Sequence, residues 1–115
     1  MKIGFIGCGN MGGAMMKGII DSGKCKAEDI WTADASEAAL AIRKEEMGVN
    51  TTTDNKEVAE KVNVLFLAVK PQYYEAVIKE IAPVVNDKQI IVTIAPGKTL
   101  EWLAATFGKD LKIIR

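Results

Sequence analysis

The chain of 115 residues contains no histidine and only two cysteines, Cys8 and Cys25. Without an imidazole, Ser-His-Asp and Cys-His nucleophilic catalysis are excluded, and two thiols alone do not build a tetrahedral Cys/His zinc site. The cysteines stand 17 positions apart, which is no disulfide framework, so reduced thiols are expected. Net charge is also missing: 15 Lys+Arg balance 15 Asp+Glu. That removes the long-range field on which nucleic-acid and anionic-membrane binding draw. No apolar stretch approaches the ~18 residues of a membrane helix. The opening run from Met1 to Gly7 is too short to be a secretory signal. These absences predict a cytoplasmic protein with no nucleic acid, no membrane and no metal site.

What is present is the composition of an ordinary globular domain, 49% apolar and 26% charged. In a domain of this size about two thirds of the unfolded chain's surface is buried, so a real core needs no staple. No repeat, low-complexity tract or charge block divides the sequence, and residues 1–115 read as one domain. Apolar, β-rich runs at Lys2–Ile6, Ile30–Ala33, Val62–Val69, Gln89–Ile94 and Leu111–Ile114, with a weaker one at Val49–Thr52, alternate with segments of helical period. The first such segment repeats apolar positions at Met11, Ala14, Met15, Gly18 and Ile19, and Gly23 stops it. Ser36, Asp54 and Thr99 are predicted N-caps of later helices, and Pro71 sits where a fourth helix begins. That fourth helix carries Tyr74, Val77, Ile78, Ile81 and Ala82; a fifth turns Leu100, Leu103, Ala104 and Phe107 inward. Six strands alternating with helices predict an α/β, doubly wound parallel sheet, Rossmann-like, in the order 3-2-1-4-5-6.

Gly7-Cys8-Gly9-Asn10-Met11-Gly12 matches G-x-G-x-x-G and lies where a strand turns into a helix. An acidic residue, Asp34, follows 22 positions after Gly12, at the end of the second strand. Together these parts are a dinucleotide fingerprint. Gly7 permits the turn, Gly9 admits the diphosphate to the backbone, and Gly12 lets helix and strand approach. The helix N-terminus offers unpaired amides and a positive dipole end. Asp34 is expected to read the adenosine ribose and to repel a 2′-phosphate, which favours NAD. Ser36 could instead donate to a 2′-phosphate, although no arginine stands at 35 or 36; Arg43 and Lys44 lie two turns further along. Strand ends beside the switch point line the crevice, so Ala68-Val69-Lys70-Pro71 and Ile94-Ala95-Pro96-Gly97 are placed there, with Lys70 near the nicotinamide ribose. Met15, Met16, Trp31, Tyr73 and Tyr74 read as packing residues.

Met1 to Gly12, with Ala14, Gly18 and Ser22-Gly23, resembles the opening of pyrroline-5-carboxylate reductase. Phe66-Leu67-Ala68-Val69-Lys70-Pro71-Gln72 and Lys112-Ile113-Ile114-Arg115 extend the likeness along the whole chain. The resemblance implies an oxidoreductase of the last step of proline biosynthesis, with NAD(P)H reducing 1-pyrroline-5-carboxylate to L-proline. It implies cofactor contacts at Ile6 through Met11, at Asp34 and Ser36, at Asn55, at Val69 and Lys70, and at Ala95, Pro96 and Gly97. It also implies a C-terminal helical domain, absent from this chain, that dimerises the enzyme and supplies most of the substrate pocket. The isolated chain is therefore expected to be inactive and to carry no catalytic residue. Two positions depart from the pattern. Asp34 stands where members preferring NADPH have a neutral or basic residue, leaving NADP or NAD open. Pro96 removes one backbone donor near the nicotinamide end. A β-hydroxyacid dehydrogenase-type domain and a non-catalytic nucleotide-sensing module are the alternative readings.

Overall fold

A computed structural model describes residues 1–94 and 97–115. Strand β1 (Ile3–Ile6) leads into α1 (Asn10–Asp21), then β2 (Ile30–Ala33), α2 (Glu37–Met47), β3 (Asn50–Thr52) and α3 (Asn55–Lys61). The second half runs β4 (Val64–Leu67), α4 (Tyr74–Ile81), β5 (Ile90–Thr93), α5 (Leu100–Phe107) and β6 (Lys112–Ile114). All six strands are parallel in one sheet ordered β3-β2-β1-β4-β5-β6, as the alternation predicts.

Strand alternation sends successive side chains to opposite faces and makes two cores. On one face Phe5, Ile30 and Val49 gather with Met16 of α1 and Leu40 of α2, and Phe5 stacks on Phe66 with ring centroids 4.8 Å apart. On the other, Ile6, Leu65, Leu67 and Ile91 bury against Val58 of α3, Val77, Ile78 and Ile81 of α4, and Leu103 and Phe107 of α5. Buried Gln89 ties the ends of this layer together. Its amide donates to the carbonyls of Ala59 and Val62 at 2.6 and 2.7 Å and accepts from Asn86 N at 2.9 Å.

Ser36, Asp54 and Thr99 cap α2, α3 and α5 through their side chains, and Gly48 and Gly108 end α2 and α5 in the left-handed conformation. Pro71 opens a 3₁₀ turn, Pro71–Tyr73, that runs directly into α4.

Two helical faces differ from the periodicity. In α1 the buried residues are Gly12, Gly13 and Met16, while Met11, Ala14 and Gly18 face solvent. The cause is backbone contact: a Cβ on Gly12 would lie 2.7 Å from the carbonyl oxygen of Gly7. The helix presses its glycine side onto the turn, and that rotates the side-chain stripe outward. In α5 only Leu103 and Phe107 are buried; Leu100 and Ala104 are exposed.

Candidate functional site

β1 and β4 are adjacent, and their connections leave toward opposite edges of the sheet, so a crevice opens beyond their carboxyl ends. Three backbone bonds extend the ladder into its floor: Gly7 N to Ala33 O at 2.7 Å, Ala68 N to Ile6 O at 2.8 Å, and Asp34 N to Thr52 O at 3.3 Å. Gly7 then turns at φ 101°, where a Cβ would meet Ala68 O at 2.7 Å. Both the positive φ and the close approach require glycine at this position.

A cavity of about 550 Å³ occupies the crevice. It is lined by Ile6, Gly7 and Gly9 from the first turn, Asp34 after β2, Asn55 at the start of α3, and Val69 and Lys70 after β4. Seven of the sequence-derived site residues thus come together. The others take different places. Cys8 is buried beneath the turn; Gly12 is buried behind it. Asn10 lines a separate groove between α1 and α2, and Met11 is largely exposed. Ser36 caps α2 with its hydroxyl and offers only its backbone to Asp34. Gly97 has φ 82° and is not among the described lining residues, and Ala95 and Pro96 lie outside the described residues.

The lining also includes Ala68, from the strand end placed there by sequence, and residues that sequence reasoning left out: Ala33, Ala35, Ala76, Val77 and Tyr73. The alanines at the ends of β2 and β4 keep the crevice open because their side chains stop at Cβ. The two neighbouring tyrosines part company. Tyr74 is fully buried, donating to Leu67 O at 2.6 Å and accepting from Ile94 N at 3.2 Å, as a packing residue does. Tyr73 is more than half exposed and stands in the cavity wall, so it is no packing residue.

The Asp34 carboxylate binds the turn itself. One oxygen accepts from Cys8 N at 3.0 Å and the other from Ser36 N at 2.8 Å. Each oxygen has a further lone pair, so the group can accept from a diol while bracing the turn. Burial first, and the Asp34 charge second, push the Cys8 thiol up to about 12. That thiol stays neutral at physiological pH and serves as packing.

The start of α1 differs from the other helices. Its N-cap is Gly9, with no side-chain cap and no acidic residue in the first turn. By contrast α2, α3 and α5 have a side-chain cap and an acid, and α4 has Glu75. First-turn amides have no partner within a helix, so α1 alone among the described α-helices leaves them without a protein carboxylate or hydroxyl. A Cβ on Gly9 would meet nothing within 4 Å. There is room for an anion against those amides, as a dinucleotide diphosphate requires. Among the described residues no group of three or more Cys, Asp or Glu is placed to hold a metal, and no helix is long and apolar enough to cross a membrane.

Residues 2–97 match the model of the family described as NADP oxidoreductase, coenzyme F420-dependent. Over 114 residues the chain is 42% identical to pyrroline-5-carboxylate reductase of Escherichia coli, a match covering 99% of this chain and 42% of that protein. The solved structure of a pyrroline-5-carboxylate reductase from Coxiella burnetii superposes with a TM-score of 0.92 at 33% identity, covering 97% of this chain and 42% of that one. A Plasmodium falciparum pyrroline carboxylate reductase, solved with NADP bound, superposes with a TM-score of 0.85 at 26% identity, over 98% of this chain and 40% of that one. The chain thus spans about two fifths of the length of these relatives. It belongs to the NADP oxidoreductase, coenzyme F420-dependent family, and its whole length is similar to the amino-terminal part of pyrroline-5-carboxylate reductases.

Proposed function

We propose that residues 1–115 form the dinucleotide-binding domain of a pyrroline-5-carboxylate reductase, holding NADPH or NADH for reduction of 1-pyrroline-5-carboxylate to L-proline. One observation carries this reading: the only α-helix start left without cap or acid among the described residues opens, through Gly9, on the switch-point cavity. The nicotinamide, when bound, supplies hydride to the C=N carbon of the imine.

The chain's own groups bind and orient. The amides of Gly9, Asn10 and Met11 face the diphosphate, and Gly12 brings the helix close enough for them to reach it. Asp34 accepts from the adenosine ribose hydroxyls; Asn55 and Ser36 flank the same end. Ile6, Val69 and Lys70 set the path of the dinucleotide across the strand ends, and the resemblance implies nicotinamide contacts at Ala95, Pro96 and Gly97. Asp34, Lys70 and Tyr73 are the only ionisable side chains lining the cavity among the described residues. None is assigned a catalytic role, and the imine site and proton donor are assigned to polypeptide beyond this domain. In this reading the whole protein is a cytoplasmic homo-oligomer joined through a C-terminal helical domain, for which the relatives' more than twofold greater length leaves room. Fluorescence titration with NADPH and NADH, with imine-dependent NADPH oxidation by the whole protein, tests the proposal. Saturable binding of at least one coenzyme and turnover of the imine are expected; absence of both would contradict it.

A further inference from the structure

We infer that Arg43 is a positioning residue that aims the turn's amides into the cavity, and that Gly13 is glycine in order to admit it; this rests on the dinucleotide reading above. The Arg43 side chain leaves α2 and is only 17% exposed. Its Nε donates to Cys8 O at 2.9 Å and one terminal nitrogen donates to Gly9 O at 3.3 Å. The other terminal nitrogen is held by Glu46 at 2.7 Å, which fixes the plane of the fork. A Cβ on Gly13 would lie 2.5 Å from Nε and 2.6 Å from the guanidinium carbon. A methyl group at position 13 and this arginine conformation exclude each other.

The consequence follows from peptide geometry. In a trans peptide, C=O and the next N–H point in opposite directions within one plane. Anchoring Cys8 O on the α2 side turns Gly9 N–H away from α2, and Gly9 lines the cavity. Gly9 O is held by Gly13 N at 2.8 Å, the first bond of α1, and Arg43 adds a second donor to it at 3.3 Å. On the other side of the turn, Cys8 N–H is held by Asp34 at 3.0 Å. The turn is therefore braced at one amide by an anion and at two carbonyls by a cation. The amides that remain are those aimed at the ligand, set before it arrives. Three of its five donors are held by carbonyls and Glu46, which commits the plane of the fork to the turn.

The test measures NADPH and NADH dissociation constants and urea stability for wild type, Arg43→Ala, Arg43→Lys, Gly13→Ala and the double variant Gly13→Ala/Arg43→Ala. Arg43→Ala is expected to weaken both coenzymes by the same factor, about tenfold or more, since an amide that must reorient contributes less of its hydrogen bond. Arg43→Lys does not restore affinity, because an ammonium cannot span two carbonyls as a fork does. Gly13→Ala weakens both coenzymes alike although Arg43 is retained, and the double variant is no weaker than the worse single one. Loss confined to NADPH would make Arg43 a direct phosphate contact and overturn the inference. So would unchanged affinity in a folded Arg43→Ala. In both cases the dinucleotide reading survives, whereas a wild type that binds neither coenzyme overturns both.

Discussion

Gly9 and Gly12 belong to one motif, yet the structure gives them different tasks and therefore different mutant phenotypes. At Gly9 the backbone is extended, φ −67° and ψ −162°, and a Cβ would meet nothing within 4 Å. Gly9→Val is expected to change stability by no more than about 1 kcal/mol, the range of N-cap substitutions. Its branched side chain would occupy the space where a diphosphate meets the helix start. Losing two hydrogen bonds to charged oxygens, each contributing about 1.5–3 kcal/mol, weakens binding by at least about 3 kcal/mol. That corresponds to roughly 100-fold or more in Kd. Gly12→Ala behaves oppositely. Its methyl would sit 2.7 Å from Gly7 O, a backbone atom inside a turn that cannot move freely. A loss of about 1–3 kcal/mol of stability follows from such overpacking, lowering Tm by roughly 4 °C or more. Thermal melting by circular dichroism and coenzyme fluorescence titration separate the two. A folded Gly9→Val protein with wild-type affinity would refute the assignment of the helix start as the phosphate site.

Three other outcomes are expected. Asp34→Ser removes a negative charge from the ribose end and should shift the NADPH/NADH affinity ratio toward NADPH by about tenfold. It should also cost about 1–2 kcal/mol, because Cys8 N–H loses its acceptor; an unchanged ratio would reduce Asp34 to a turn brace. Cys8 is buried with its thiol pushed up to about 12. In the folded chain it should resist iodoacetamide between pH 7 and 9 and react on unfolding, as peptide mapping would show. Because its folded pKa lies above the unfolded value near 9, the stability it contributes is complete below pH 9 and declines as pH rises from 9 toward 12. Gln89→Leu strands the carbonyls of Ala59 and Val62 in the core and should cost about 2–4 kcal/mol, read as a lower urea midpoint at unchanged slope.

The topology was legible because strand and helix periods alternate without ambiguity, and because caps such as Ser36 and Thr99 act locally. The turn from Gly7 to Gly12 and the acid at 34 were legible for the same reason: glycine spacing records backbone geometry directly. What periodicity misplaced was the inward face of α1. A stripe of side chains does not register that two glycines let the backbone itself make the contact. The spacing of the fourth helix put Tyr74 with Val77, Ile78 and Ile81, but it did not show that Tyr73, in the 3₁₀ turn before that helix, stands in the cavity wall. Helical spacing put Arg43 on the side of Ala39, Leu40 and Met47, but its contact with the turn carried no signal. Its partners are main-chain carbonyls 34 and 35 residues away in sequence, and its access depends on a glycine lying just outside the fingerprint.

Backbone amide chemical shifts of the ¹⁵N-labelled chain, followed during NADPH titration, test the central claim most directly. The account predicts the largest changes at Gly9, Asn10 and Met11, with smaller ones at Asp34 and Lys70, and little change along the β5–β6 edge. Saturable binding that leaves residues 9–11 unmoved and perturbs another surface would contradict it.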